Sequence, residues 1–225
     1  MKTFFVTGTD TAVGKTVVSR ALLQCFIQAG LSSVGYKPVA KGCFATEAGM
    51  RNKDALLLQA ASNLELPYEA INPVTLPEEE ISGGKATALN YRRLSAGLHR
   101  LREQAECVVV EGSGGWRCLM NDLRPLSEWV VKEQLPVILV VGIKPGCISH
   151  ALLTAQAIIN DGLPLSGWVA NRINPGVAPY MTIVQVLRNK INAPLLGELP
   201  YLPRAEQRDL SHYFNLALLD VPVAK

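Results

Sequence analysis

An apolar run, Thr3-Phe4-Phe5-Val6-Thr7, passes directly into Gly8-Thr9-Asp10-Thr11-Ala12-Val13-Gly14-Lys15-Thr16, and a helical pattern follows at once. Strand, glycine-bearing loop and helix in immediate succession are the local structure that a Walker A phosphate loop requires. Glycine lets the backbone turn so that successive N–H groups point inward at phosphate oxygens. The helix starting near Thr16 adds the positive end of its dipole. In that setting Lys15 bridges the β- and γ-phosphates of a nucleotide, and the Thr16 hydroxyl ligates magnesium. The spacing departs from the usual loop, because five residues separate Gly8 from Gly14 where four are customary. Thr9 also stands where a first glycine is expected.

Behind the loop, short apolar runs alternate with longer amphipathic segments. Strands are expected over 3–7, 34–39, 107–111, 137–142, 166–170 and 194–199, and helices over 16–29, 52–62, 91–104, 125–134, 148–161 and 179–190. The strand runs are almost continuously apolar, which suits a parallel sheet covered on both faces. The expected fold is α/β and P-loop NTPase-like, a mostly parallel doubly wound sheet with helices on both faces. No repeat or linker divides residues 1–225, so a single domain is expected. The stretch 76–87, with three Glu and two Gly, is the candidate surface loop. In such sheets ligands sit beyond the carboxyl ends of the strands. Gly8, Lys37, Glu111, Lys144, Asn171 and Pro200 all fall at those ends.

Cys107-Val108-Val109-Val110-Glu111-Gly112-Ser113-Gly114-Gly115 reads as a buried strand that ends in a carboxylate and a glycine-rich turn. A P-loop protein keeps its acidic magnesium partner at such a point, although Asp is the usual residue. Glu111 either holds the ion or is a solvated acid capping the turn. Lys37, in Val34-Gly35-Tyr36-Lys37-Pro38-Val39, either neutralises transferring phosphate charge or is a surface cation. Asp54 is either a second magnesium ligand or a carboxylate favouring a positive helix end.

The formal net charge is +3, with Lys and Arg scattered along the chain, so no nucleic-acid footprint is expected. No run approaches the 18 or more apolar residues of a membrane span. No secretory leader is read at Met1, and five cysteines without a CxxC pair read as reduced thiols of a cytoplasmic protein. His99 and His212 read as solvated or unpartnered, His150 as helix-end packing, and Trp116, Trp129 and Trp168 as core or substrate-wall residues.

GTDTAVGKT at 8–16, GYKPVA at 35–40, RNKD at 51–54, EGSGGW at 111–116, QLPVILVVG at 134–142 and GWVAN at 167–171 resemble the ATP-dependent dethiobiotin synthetases of biotin biosynthesis. The likeness runs in the same order over nearly the whole chain. MNDLRPLSEWV at 120–130 resembles the second, paralogous enteric bacterial form. The resemblance implies a homodimer that converts 7,8-diaminopelargonic acid, CO2 and MgATP to dethiobiotin, ADP and phosphate. The route would run through a carbamate and a carbamic-phosphoric anhydride. Matched by position, Lys37 and Lys15 are the catalytic lysines, and Thr16, Asp54 and Glu111 the Mg2+ ligands. Ala12, Val13, Gly14, Lys15, Thr16 and Val17 match the phosphate cradle. Glu111, Gly112, Ser113 and Gly114 match the strand-end loop on ATP. Asn171, Arg172, Pro200, Tyr201, Leu202 and Glu206 match the adenine pocket. Cys147, Ile148 and Ser149 open a helix that receives the substrate carboxylate across the family's dimer, a position physically apt for an anion.

Several residues depart from the family pattern. Lys41 replaces a hydroxyl residue expected at the substrate, Ala12 an acidic residue, and Ser149 an Asn, while 76–84 lacks a Ser-Pro-His stretch. A lysine beside a diamine repels its ammonium forms or else binds the carbamate and phosphate. Two further readings therefore stand beside the synthetase. One is a sister ATP-dependent ligase acting on another diamine or an amino acid. The other is a nucleotide-switched dimer of the partition-ATPase kind. Such switches carry a lysine where this chain has Asp10, which argues against the second.

Overall fold

The computed structural model describes residues 1–76, 89–121, 123–176 and 179–219. The expected surface loop therefore lies outside the described residues from position 77 onward. The first part of the chain runs β1 (Lys2–Gly8), α1 (Lys15–Gln28), β2 (Ser33–Tyr36), β3 (Val39–Lys41), β4 (Phe44–Thr46), β5 (Gly49–Arg51), α2 (Lys53–Ala61), α3 (Tyr68–Ile71) and β6 (Val74–Leu76). It continues with α4 (Tyr91–Gln104), β7 (Cys107–Gly115), α5 (Ser127–Lys132), β8 (Val137–Gly142), α6 (Cys147–Asn160), β9 (Leu165–Asn171), α7 (Tyr180–Lys190) and β10 (Leu195–Leu199). Short 3-10 turns follow at Ala205–Gln207, Ser211–Tyr213 and Leu216–Leu219.

Six strands form the main sheet in the order β10-β9-β8-β1-β7-β2, and every neighbouring pair is parallel. The chain winds from β1 out to β2, returns to β7, then passes β1 to β8 and continues to β10. The winding reverses about β1, and the crevice at its carboxyl end is where a doubly wound sheet takes its ligand. Burial follows the two-residue period of a strand. Leu139 and Val141 of β8, with Trp168 and Ala170 of β9, pack with Ala151, Val184 and Leu187 of α6 and α7. The intervening Ile138, Val140 and Val169 join the larger core that holds α1, α2 and α4. Both faces are covered, so the strands carry almost no polar residues. Trp116, Trp129 and Trp168 are all buried.

The expected strand over 34–39 stops at Tyr36. The Lys37 amide bonds the Ile71 carbonyl at 2.8 Å, Pro38 has no N–H to offer, and the chain resumes as β3 beside β6. Conversely β7 runs on to Gly115, so Glu111 sits inside the strand, paired with Val6, instead of at its end. The helix expected from residue 125 begins at Ser127. His99, read as solvated, keeps an exposed ring but lies 2.9 Å from Glu133 Oε2.

One glycine places the second half of the site. A Cβ on Gly35 would come within 2.7 Å of the Leu58 Cβ, so α2 rests directly on β2. Asp54 stands one turn before Leu58 and Lys37 two residues beyond Gly35. The close packing therefore sets the Asp54 carboxylate beside the Lys37 ammonium.

Candidate active site

The phosphate loop is braced by contacts within the protein. Thr9 continues the β1–β8 ladder by donating to the Val140 carbonyl at 3.0 Å. Val13 is fully buried, and the Asn171 side-chain amide donates to its carbonyl at 2.9 Å. Ala12 and Gly14 both adopt left-handed backbone, with φ of 56° and 92°. Such alternation turns successive N–H groups into one concavity, a nest suited to anions. A Cβ on Gly14 would lie 2.0 Å from Asn171 Nδ2, so only glycine fits there without moving the brace. Gly14→Ala is expected to raise the Kd for ATP about tenfold or more by calorimetry, since left-handed strain alone costs about 1–2 kcal/mol.

Behind the loop four functional groups converge. Lys37 is 3 % exposed, and its Nζ donates to Glu111 Oε1 at 2.7 Å and to the Gly112 carbonyl at 3.0 Å. Asp54 Oδ2 lies 3.5 Å from the same nitrogen and is itself half-exposed. The Thr16 hydroxyl donates to Glu111 Oε1 at 2.9 Å, while Glu111 Oε2 is buried with no partner. Burial acts to lower the Lys37 pKa, but the charges of Glu111 and Asp54 outweigh it and hold the ammonium above its ordinary value.

Lys15 behaves differently. Its Nζ turns back to the Asp10 carbonyl at 3.0 Å, and burial, then the like charge of Lys37, hold its pKa below the usual lysine value. Bound polyphosphate would favour the charged form, so nucleotide binding should take up a proton as the pH rises through that lowered value. ATP affinity should accordingly fall as the pH rises, the fall starting at a pH lower than the ordinary lysine value of 10.5. Calorimetry in two buffers of different ionisation enthalpy would read the uptake directly. The Asp10 carboxylate pairs with Lys144 at 2.7 Å, and that hydrogen bond, with the Thr11 N–H, keeps its pKa low.

A cavity of about 500 Å³ opens over these groups, lined among others by Lys15, Thr16, Lys37, Lys41, Asp54 and Ser113. A second of about 280 Å³ is lined by Asn171, Arg172, Pro200, Tyr201 and Leu202. Ala12, Gly14, Val17 and Glu206 line both, so the two form one groove across the loop. The Arg172 guanidinium is turned toward the Pro175 carbonyl and the Tyr180 ring. Lys41 Nζ donates to the Leu119 carbonyl at 2.7 Å and sits 3.6 Å from Cys118 Sγ. Ser113 Oγ donates to the Val39 carbonyl. Cys147, Ile148 and Ser149 open α6 but line neither cavity.

Several positioning residues carry no sequence signal of their own. Asn72 Nδ2 holds the Lys37 carbonyl at 2.7 Å, and its Oδ1 accepts from Tyr68. The Tyr68 oxygen in turn accepts the Asn52 amide, and Asn52 caps α2 while bonding the Lys41 carbonyl. This chain fixes the backbone at both lysines. The wall beyond Tyr201 is held by α1 itself: Gln24 takes the Arg208 carbonyl and the Leu210 amide, and Arg20 reaches the Ala205 carbonyl. The helix that presents the phosphate loop therefore also positions the far end of the groove.

The donor set suits magnesium. Among the described residues no three His, Cys, Asp or Glu side chains cluster as a metal cage. Magnesium needs less protein than that, taking one or two carboxylates together with substrate phosphates. The buried, unpartnered Glu111 Oε2 beside the Thr16 hydroxyl and Asp54 supplies hard oxygen donors of this kind. Among the described residues no helix is long and apolar enough to cross a membrane.

A family model described as an AAA domain matches residues 2–208. The ATP-dependent dethiobiotin synthetase BioD 2 of Salmonella typhimurium is 67% identical over 219 residues, covering 97% of this chain and 95% of that one. The protein of that name from Escherichia coli K12 is 66% identical over the same coverage. An ATP-dependent dethiobiotin synthetase BioD from Vibrio parahaemolyticus is 52% identical, covering 95% of each chain. Among solved structures, the Pyrococcus horikoshii septum site-determining protein MinD superposes with a TM-score of 0.57 at 13% identity, covering 97% of this chain and 94% of its own. The Thermotoga maritima cell division protein FtsY gives 0.51 at 18%, covering 98% and 69%. At such identities these two speak for the fold alone.

Proposed function

We propose that this chain, which belongs to the ATP-dependent dethiobiotin synthetase family, closes the cyclic urea of dethiobiotin from 7,8-diaminopelargonic acid, CO2 and ATP. The observation that carries the reading is the convergence of Lys37, Thr16, Asp54 and Glu111 behind the phosphate loop. In the proposed reaction one amine of the diamine adds to CO2 and loses a proton to give a carbamate. A carbamate oxygen attacks the γ-phosphorus, and ADP leaves. The second amine then attacks the carbamoyl carbon of the mixed anhydride, the ring closes, and phosphate departs with the electron pair of the broken C–O bond.

No step needs a protein nucleophile. What the protein supplies is position and compensating charge. Lys15 and the Ala12-to-Val17 backbone hold the polyphosphate. Lys37, fixed through Asn72 and α2, directs its ammonium at the oxygens where charge gathers between carbamate and γ-phosphate. Thr16, Asp54 and Glu111 would hold Mg2+, which when bound neutralises phosphate charge. Adenine would lie against Asn171, Arg172, Pro200, Tyr201, Leu202 and Glu206. One Asn171 donor is committed to Val13, which leaves its oxygen and second hydrogen for a base edge.

Lys41 would border the carbamate, with its cation tethered to Leu119 instead of pointing free at an amine. We further take residues 1–225 to act as one domain and the protein to work as a cytoplasmic homodimer. Cys147, Ile148 and Ser149 would then meet the diamine's carboxylate in a second copy. Phosphate release should be followed with MgATP and bicarbonate, with and without the diamine, assaying dethiobiotin in parallel. Stimulated release with dethiobiotin formed, and both lost in Lys37→Ala, is the expected result. ATP binding without any response to the diamine would refute the substrate and leave the nucleotide site standing.

A further inference from the structure

The two carboxylates proposed for magnesium are the same two that hold a lysine. Lys37 Nζ is 2.7 Å from Glu111 Oε1 and 3.5 Å from Asp54 Oδ2. Lack of a free oxygen is not what would keep a metal away, since Glu111 Oε2 is buried and unpartnered. Charge is. Lys15 and Lys37 together with Asp54 and Glu111 sum to zero formal charge. A divalent cation arriving alone would leave this group, buried but for Asp54, at plus two, beside two ammonium groups, where like charges repel more than in water. Arriving with a triphosphate it brings its own compensation.

We infer that Lys37 is a built-in counter-ion of the metal site, which keeps a divalent cation out unless nucleotide comes with it. With both present, Glu111 and Asp54 would hold the metal, and the Lys37 ammonium would be released to the phosphate and the carbamate. The site would then arm its lysine only in the presence of both metal and nucleotide. This inference rests on the proposed metal ligands but needs neither the diamine nor turnover.

The test is Mn2+ binding to the full chain without nucleotide, read by electron paramagnetic resonance. Lys37→Met should bind Mn2+ at least about tenfold more tightly than the unsubstituted protein. Lys37→Arg, which keeps the charge, should bind as weakly as the unsubstituted protein. Lys15→Met should gain much less, because the Lys15 contact is the Asp10 carbonyl and not a carboxylate. No gain in Lys37→Met, or an equal gain in Lys15→Met, overturns the inference. Should Lys37→Met fail to fold, thermal melts of the unsubstituted protein decide. Mg2+ alone should leave Tm unchanged yet raise it in the presence of ATP, and a rise with Mg2+ alone overturns the idea. Glu111→Gln separates the two levels: if it binds Mn2+ with ATP as tightly as before, the ligand assignment falls, and the counter-ion role with it.

Discussion

Lys37→Met is expected to lower kcat by about a thousandfold or more, with a far smaller change in the Kd for MgATP. The asymmetry follows from where the two lysines stand. Lys15 sits in the loop, where in the proposed role it would bind the nucleotide in ground and transition states alike. Lys37 enters from the end of β2, is 3 % exposed, and lines the cavity over the phosphate loop, where the proposed reaction would place the γ-phosphate. Charge develops there only as the phosphoryl group moves, and an interaction strongest at that moment acts on kcat and not on binding. Steady-state kinetics with separate ATP titrations would resolve the two constants. A kcat within tenfold of the unsubstituted enzyme would remove Lys37 from the chemistry.

Glu111→Ala is expected to cost about 3–5 kcal/mol of folding stability, because it leaves the buried Lys37 ammonium short of its closest counter-charge. Lys37 retains only Asp54 at 3.5 Å and one carbonyl, and neither replaces a carboxylate oxygen at 2.7 Å. Urea titration would measure the loss. The same experiment with MgATP separates the two partners. Lys37→Met leaves the proposed metal ligands in place, so MgATP should restore much of its stability. Glu111→Ala lacks a proposed ligand and should recover little. Equal recovery in both would mean that Glu111 does not hold the metal.

The elements of the main sheet were legible because each is long enough to show its period. The apolar runs at 107–111 and 137–142 and the helical patterns behind them appear as strands and helices shifted by only a few residues. The short pieces were not legible. Strands β3 to β6 are three residues each, α3 is four, and no periodicity can be read over such lengths. The break at Lys37 comes from a bond to Ile71, remote in sequence, and the extension of β7 past Glu111 from pairing with β1. His99 looked like one more residue on a charged helix face, since its partner Glu133 is 34 positions away.

By itself the sequence determined the class of fold and the place of the phosphate loop. A strand, a glycine loop and a helix in succession are a local structure, written in consecutive residues and needing little from the rest of the chain. It also carried the identities of Lys37, Asp54 and Glu111; the family resemblance implied a shared site for them, but their spacing did not, and each alone left a solvent-facing reading open. Only the tertiary structure brought them together. Gly35 lets α2 rest on β2, and that contact brings Asp54 to Lys37. The parallel register of β7 against β1 and β2 sets Glu111 between Lys37 and Thr16, in a place where no water can compensate its charge. Packing turns three separate ionisable residues into one coupled group, two of them buried, and packing is a property that no short stretch of sequence contains.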